Sequence, residues 1–210
     1  MNKQIGTLRR QLKKQRANLT KQQQKICSTQ AVKFLQRFPK FRSARHIAIY
    51  LPVRGEINPV DLRQFANPRQ EFYLPVLSPY KPHGLVFVRW NKRTRFKQNR
   101  FKIPEPLIKR NLMKSARSLD LVVTPLLAFD KQGSRLGMGG GFYDRSFAFK
   151  QRMKLHQRPN LTGIAYQFQQ VAHLDRQSWD IPLDGISTET GLITFKNSKA
   201  VKYSHQQSHH

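Results

Sequence analysis

The chain has 210 residues, of which 39 are Lys or Arg and 11 are Asp or Glu, for a formal net charge of +28. A protein this basic attracts polyanions, so nucleic acid and small anionic ligands are both candidate partners. Because no apolar run is long enough to cross a membrane, the N-terminal segment lacks a signal-peptide core, and the single cysteine excludes an internal disulfide, we expect a cytoplasmic protein.

The first forty residues have the pattern of two basic helices. Residues 3–18 carry Ile5, Leu8 and Leu12 at helical spacing. Thr20 can cap a second helix that runs to about Phe38. These segments predict two amphipathic helices that pack on a core.

Glu56 is the first acid in the chain and lies in a loop after a short β-type run, residues 46–51. Asn58-Pro59 follows and predicts the start of a helix. Because α/β folds bind ligands in the loops at the carboxyl ends of strands, Glu56 is a candidate site residue. A surface carboxylate that balances Arg54 is the simpler alternative.

A basic segment with interleaved aromatic residues follows two predicted strands at residues 72–77 and 85–90. In residues 90–102, Trp90, Phe96 and Phe101 alternate with Arg and Lys. Such a segment can stack the bases of single-stranded nucleic acid, but a solvated hairpin edge is the commoner origin. Residues 103–106 are predicted to break regular structure, and residues 118–124 have the pattern of a buried strand.

The most informative stretch is residues 133–145, GSRLGMGGGFYDR, where five of the eleven glycines fall within nine positions. It lies between an apolar run and a helical pattern, an order that lets backbone N–H groups surround a phosphate. Arg135 and Arg145 add positive charge, and Asp144 adds a carboxylate that can hold a metal ion on that phosphate. The spacing matches neither a Walker A loop nor a dinucleotide fingerprint, so a purely structural turn stays open.

The remaining elements define the fold class. Residues 161–166 and 188–195 predict further strands, with an acidic turn at residues 180–185 between them. About six strands among four or five helices predict an α/β fold, a single layered domain with a mixed, mostly parallel sheet flanked by helices. We expect this domain to span residues 1–195 and residues 196–210 to be a polar, disordered tail.

Short segments between about residues 8 and 193 resemble the 5-formyltetrahydrofolate cyclo-ligase family, also called methenyltetrahydrofolate synthetases. The glycine stretch is similar to the signature of that family. Other matches follow in the family's order: LRRQLKKQR, IAIYLPVRGEINP, KIPEP, LDLVVTPLLAFD, GIAYQFQQV, and WDIPLD followed by STETG. A series of matches in order is more specific than one glycine loop.

The resemblance implies an enzyme that uses ATP and Mg²⁺ to convert 5-formyltetrahydrofolate to 5,10-methenyltetrahydrofolate, with release of ADP and phosphate. A formamide oxygen is a poor leaving group, so it first accepts the γ-phosphoryl group, and N10 of the folate then closes the ring. Phosphoryl transfer needs positioning and charge neutralisation more than a covalent protein group. ATP and folate, with or without a polyglutamate tail, are anionic and suit the basic surface.

The resemblance also implies roles for individual positions. Catalysis is expected of Arg135 and Tyr143, and Mg²⁺ is expected at Asp144 and Asp180. The residues expected to bind ATP are Arg9, Arg135, Leu136, Gly137, Met138, Gly139, Gly140, Gly141, Phe142 and Tyr143. The residues expected to bind folate are Glu56, Phe101, Met138, Gly139, Gly140, Gly141 and Phe142.

Three positions depart from the family's usual pattern. Ile5 stands where relatives carry a lysine, for which Lys3 or Arg10 could substitute; Phe142 replaces a common tyrosine, and Phe101 replaces the tryptophan of some relatives. The missing lysine leaves open a catalytically silent folate-binding protein, and the net charge with the aromatic and basic segment 90–102 leaves open a basic nucleic-acid-binding protein. We expect small-molecule substrates, no specific nucleic acid, no membrane partner, and a monomer or small homo-oligomer.

Overall fold

A computed structural model of the protein describes residues 3–152, 158–196 and 199–203. Within these residues the helices are α1 (Lys3–Ala17), α2 (Lys21–Gln36), α3 (Pro39–Ser43) and α4 (Phe142–Phe147). The strands are β1 (His46–Ala48), β2 (Glu71–Leu77), β3 (Leu85–Arg89), β4 (Phe96–Gln98), β5 (Pro104–Pro106), β6 (Met113–Lys114), β7 (Leu121–Thr124), β8 (Ala128–Phe129), β9 (Arg135–Leu136), β10 (Asn160–Ile164), β11 (Gly185–Thr188), β12 (Gly191–Lys196) and β13 (Lys199–Tyr203).

Nine of the strands form one mixed sheet in the order β13-β12-β11-β10-β7-β1-β2-β3-β6. The five central strands, β11 to β2 in that order, are parallel, and two antiparallel strands extend each side. The predicted α/β fold, with its mixed sheet flanked by helices, is confirmed. The predicted tail lies largely outside the described residues, but β13 within it pairs with β12 and extends the sheet.

The alternating side chains of β7 show how the sheet divides the core. Leu121 and Val123 belong to the apolar cluster that contains Leu35 of α2. Val122, between them, belongs to a second cluster with Phe147 of α4. Helices therefore cover both faces of the parallel strands. Burial of each such side chain contributes about 1.5–3 kcal/mol, which fixes the layers against one another.

The helix signals at the N-terminus are confirmed. Thr20 caps α2, because its Oγ1 accepts from the Gln23 amide at 3.2 Å while Gln23 Oε1 accepts from the Thr20 amide at 2.8 Å. At Asn58-Pro59 the predicted helix is a short 3₁₀ helix, Val60–Phe65, whose Val60 amide donates to Asn58 Oδ1 at 3.0 Å. None of the described helices combines the length and apolar character needed to span a bilayer.

Within residues 103–106, predicted to break regular structure, Pro104–Pro106 instead form β5, which pairs antiparallel with β4. The two prolines of β5 occupy alternate positions, so the N–H groups that they lack lie on one side of the strand. Glu105 between them is buried, and its Oε2 accepts from Asn99 Nδ2 at 3.2 Å. The β4–β5 hairpin therefore keeps its one acid inside and presents its basic residues outside.

Candidate active site

Three loops meet at the carboxyl edge of the parallel strands. Glu56 lies in the loop after β1, Tyr166 follows β10, and the glycine loop, residues 137–141, follows the β8–β9 hairpin. Helix α1 packs beside them, because Leu12 shares a cluster with Ala128 of that hairpin. This is the edge at which open α/β sheets bind their ligands.

The glycine loop adopts a backbone that side chains disfavour. Gly139 has φ +100° and Gly141 has φ +63°, so a residue with a Cβ would be strained at either position. At Gly140 the constraint is steric, since an added Cβ would lie 2.6 Å from the Phe142 ring. Among the described residues, none accepts a hydrogen bond from the backbone N–H groups of residues 137–141, so these donors are available to an anion.

Arg135 and Asp144 join three segments of the chain at this loop. Arg135 Nη2 donates to Asp144 Oδ1 at 2.6 Å, and Nη1 donates to the carbonyl oxygen of Ile181. The Ile181 amide donates to the same Asp144 oxygen at 3.2 Å. The Arg135 side chain is almost entirely buried, so this geometry is held firmly.

Asp180 directly precedes Ile181, whose amide donates to Asp144. Asp180 Oδ2 accepts from the Gln177 amide at 2.8 Å, which closes a short turn. In the described part of the chain, no three His, Cys, Asp or Glu side chains form a group that could hold a metal ion. The predicted pair of acids can thus supply at most two protein ligands, a number that suits Mg²⁺ when phosphate oxygens and water complete its shell.

Arg9 of α1 contacts the glycine loop across 128 residues of sequence. Its Nε donates to the Gly137 carbonyl at 3.2 Å, and its guanidinium lies 3.8 Å from the place where a Cβ on Gly139 would be. Ile5, one turn earlier, is half-buried, whereas Arg10 is exposed. The side chain of Lys3 lies outside the described ones. The structure thus brings one first-helix cation, Arg9, to the loop.

A group of aromatic side chains surrounds Phe142, the residue that follows the loop. The rings of Phe101 and Phe142 meet edge to face, with centroids 6.0 Å apart, and His83 lies 5.6 Å from Phe142. Phe101 is 46% exposed and Met138 43%, so both have surface to offer a ligand. Sequence reasoning missed His83, which lies in the turn between β2 and β3 and carries no spacing signal.

Glu56 is held by a tight turn whose central residues, Arg54 and Gly55, have φ +50° and +74°. Its amide donates to the Val53 carbonyl at 3.1 Å, and its Oε2 accepts from the Val53 amide at 3.1 Å. Tyr166 donates its hydroxyl to the Gly55 carbonyl at 2.9 Å and pins the turn to β10. Burial raises the pKa of Glu56, against the opposing effects of the Val53 hydrogen bond and Arg16.

Arg16 is the functional candidate that sequence reasoning missed. Its side chain is 2% exposed, and its Nη1 lies 3.7 Å from Glu56 Oε1. Arg16 comes four residues after Leu12 and therefore continues the apolar stripe of α1, and this position was the available signal. A cation on the buried face of a helix requires a partner in the core.

Tyr143 is the second residue of α4 and lies within electrostatic reach of Glu56. Burial raises the pKa of its phenol, and the charge of Glu56 raises it further. The hydroxyl therefore stays protonated at neutral pH and can donate a hydrogen bond.

Leu136 differs from the other residues predicted to bind ATP. Its side chain packs in the Leu12 cluster, so only its backbone can face a phosphate.

Comparisons with known proteins agree on one family. A family model described as the 5-formyltetrahydrofolate cyclo-ligase family matches residues 2–189. A Haemophilus influenzae 5-formyltetrahydrofolate cyclo-ligase is 40% identical over 177 residues, 84% of this chain and 92% of that protein. The Escherichia coli K12 protein of the same name is 36% identical over 179 residues, 84% of this chain and 96% of that one. The NMR structure of an Aquifex aeolicus 5,10-methenyltetrahydrofolate synthetase superposes with a TM-score of 0.76 at 26% identity, covering 98% of this chain and 99% of that one.

Proposed function

Because the chain belongs to the 5-formyltetrahydrofolate cyclo-ligase family, we propose that it converts 5-formyltetrahydrofolate to 5,10-methenyltetrahydrofolate with ATP and Mg²⁺, releasing ADP and phosphate. The observation that supports this most directly is the placement of the glycine loop. Arg9 donates to the loop, Arg135 donates to Asp144 just after it, and Phe101 packs against Phe142, which follows it. We expect the enzyme to act in the cytoplasm as a monomer or small homo-oligomer.

The phosphates of ATP occupy the glycine loop in this proposal. The available N–H groups of residues 137–141 bind phosphate oxygens, and Arg9 adds a fixed positive charge from α1. Arg135 is already oriented by Asp144 and Ile181, so it needs no reorganisation when negative charge shifts toward the bridging oxygen of ADP. Leu136, Gly137, Met138, Gly139, Gly140, Gly141, Phe142 and Tyr143 complete this nucleotide surface.

The residues near Asp144 fit a Mg²⁺ ion. Asp144 Oδ1 accepts the hydrogen bonds from Arg135 and Ile181, while no described residue donates to Oδ2. Oδ2 of Asp144 and the carboxylate of Asp180 are hard oxygen ligands of the kind that Mg²⁺ prefers. When bound there, the ion neutralises phosphate charge.

The folate lies on the opposite side, against Phe101, Met138 and Phe142, and Glu56 accepts hydrogen bonds from the N–H groups of its pterin. The formyl oxygen attacks the γ-phosphorus, and the bond from that phosphorus to ADP breaks. The N10 lone pair then attacks the formyl carbon, phosphate departs with the former formyl oxygen, and N10 loses its proton. Tyr143 donates a hydrogen bond to the transferring oxygens, which its protonated phenol allows.

The test is the appearance of the methenyl chromophore when the purified protein is mixed with ATP, Mg²⁺ and 5-formyltetrahydrofolate. We expect turnover that requires both ATP and the metal ion. Absence of the chromophore under conditions that support the Haemophilus influenzae relative would refute the activity. Folate binding without turnover would instead identify the chain as a catalytically silent member of the family.

The exposed surface of the β4–β5 hairpin favours a second candidate function, binding of single-stranded nucleic acid. Phe96 is 42% and Phe101 46% exposed among Arg and Lys side chains, while the acid of the hairpin, Glu105, is buried. Aromatic and cationic side chains together bind bases and phosphates. The check is the affinity for a labelled oligonucleotide as a function of salt. Binding that disappears near physiological salt would reduce this function to non-specific electrostatics.

A further inference from the structure

Arg16 is a buried cation whose hydrogen-bonding groups are incompletely satisfied. Its Nε is buried and has no hydrogen-bond partner, and its Nη1 faces Glu56 Oε1 at 3.7 Å, within ion-pair range but beyond a hydrogen bond. Burying a guanidinium in this way is costly, and the burial is offset only by a facing negative charge. Its position is therefore tied to an ionised Glu56.

The two oxygens of Glu56 have different surroundings. Oε2 accepts the Val53 amide, which fixes the carboxylate to its own turn. Oε1 faces Arg16, and no described residue donates a hydrogen bond to it. One oxygen is thus anchored, while the other is oriented by charge and keeps its lone pairs for a donor from outside the protein.

The other groups that face Glu56 do not replace the charge of Arg16. Arg54, in the same turn, is the second cation that acts on the carboxylate, but it is exposed. The charge of Glu56 also acts on the phenols of Tyr50, Tyr143 and Tyr166. Burial raises the pKa of each phenol, so all three are neutral at physiological pH. Arg16 is consequently the buried cation among these neighbours.

We propose that Arg16 is a positioning residue for folate, which keeps the Glu56 carboxylate ionised and directs its free oxygen toward the N–H donors of the pterin ring. The packing around the turn supports this role. An added Cβ on Gly55 would lie 3.4 Å from the Arg16 carbonyl and 3.6 Å from its Cγ, so the stem of Arg16 forms the floor beneath the turn. The inference rests on the proposed function, because it takes Glu56 as a folate ligand.

The test measures KM for 5-formyltetrahydrofolate and for ATP across a pH series in Arg16→Gln, Arg16→Lys and the matched control Lys13→Gln. Lys13 is exposed on the same helix and should leave both constants unchanged. In Arg16→Gln, Glu56 loses the cation that favours its ionised form. We therefore expect KM for folate to rise about 10- to 100-fold at neutral pH and to recover as the pH is raised, while KM for ATP changes less than about two-fold. Arg16→Lys should restore most of the affinity.

Three results would overturn the inference. The first is a folate KM in Arg16→Gln that equals the wild-type value. The second is a folate KM that is raised by the same factor at every pH. The third is an equal rise of KM for folate and for ATP. If Arg16→Gln does not fold, Arg16→Lys decides: a folate KM close to the wild-type value, with KM for ATP unchanged, supports the role, and equal increases in KM for both substrates overturn it. If the wild type gives no methenyl product, the proposed reaction fails, and calorimetric titration of folate into the same variants tests Arg16 separately.

Discussion

The two edges of the parallel sheet use carboxylates in opposite ways. At the amino edge, Asp120 accepts from the amides of Arg45 and His46 at 2.9 and 2.8 Å and pairs with Arg158 at 2.8 Å. Glu71 there accepts from the Tyr73 hydroxyl at 2.6 Å, and that bond, more than the nearby Arg89, holds the pKa of Glu71 below its ordinary value. These acids join neighbouring strands, and their carboxylates have hydrogen-bond or ion-pair partners within the protein.

At the carboxyl edge several polar groups lack a hydrogen-bond partner among the described residues. Burial raises the pKa of Glu56, Arg16 Nε lacks a partner, and the N–H groups of the glycine loop have no acceptor among the described residues. An unsatisfied buried polar group such as Arg16 Nε destabilises a fold, and the glycine-loop N–H groups are open to an anion, so this edge has the groups that a ligand could complete. We therefore expect the amino edge to serve mainly stability and the carboxyl edge to serve the proposed substrate binding.

The largest effect should come from the charged pair at the glycine loop. We expect Arg135→Ala and Asp144→Asn each to lower turnover by about 10²- to 10³-fold or more, because the groups that stabilise transferring charge are then missing or misdirected. Arg158→Ala, which removes a cation from the amino edge, is the matched control. Near-normal turnover in folded Arg135 or Asp144 variants would place the site elsewhere.

Glu56→Gln should have the next largest effect, and we expect it to weaken the binding of folate but not of ATP. The amide cannot supply a charged acceptor, so KM for folate should increase about 10- to 100-fold with KM for ATP nearly unchanged. Glu71→Gln at the amino edge serves as the control and should change neither constant. If both substitutions raised KM for folate equally, the proposed difference in function between the two edges would be wrong.

Asp120→Ala should show the reverse behaviour, with a loss of stability and no loss of chemistry. The substitution leaves the Arg45 and His46 amides without their acceptor, and we expect the free energy of unfolding to fall by about 1–3 kcal/mol. Denaturant titration measures this loss, and steady-state kinetics of the folded protein measures turnover. A large fall in kcat at unchanged stability would contradict the structural role.

Gly139→Ala and Gly137→Ala separate backbone strain from steric space within the loop. Neither added Cβ meets a neighbour at short range, but only Gly139 has a left-handed φ. Gly139→Ala should therefore lower the free energy of unfolding by about 1–2 kcal/mol, whereas Gly137→Ala should be close to neutral. Thermal denaturation of the two variants makes the comparison, and an equal loss in both would exclude strain as the cause.

The smallest effect is a pH dependence of stability that originates at Glu71. Because its folded pKa lies below the ordinary value of 4.5, ionised Glu71 contributes stability above that pH, and the contribution is lost as the pH falls through the folded pKa. Wild type should exceed Glu71→Gln in stability at neutral pH and converge with it in acid. Curves that stay parallel throughout would rule out the carboxylate as the source.

Local patterns predicted much of the fold. The capping signal at Thr20, the helical stripe of α1 and the alternating or fully apolar strands were readable because each depends on neighbours in sequence. The pairing of β5 was missed, since two prolines within three residues normally end a strand and only their alternate spacing permits it.

Long-range contacts limited what could be predicted of the site. The resemblance indicated Arg9, Glu56 and the glycine loop, and the structure places these segments around one edge of the sheet. Arg16 could not be assigned, because its partner Glu56 is forty residues away and helix periodicity does not distinguish a buried cation from a solvated one. The roles of all these residues in binding and catalysis stay predictions until the variants are measured.

The length of helix α1 between its two arginine contacts fixes a distance within the site. Arg9 contacts the glycine loop and Arg16 contacts the Glu56 turn, seven residues and therefore about 10 Å apart along one face. Inserting one residue between them would rotate one arginine by about 100° relative to the other and uncouple it from its loop. In the proposed function, the length of this short segment of helix sets the separation between the nucleotide-binding loop and the folate-binding turn.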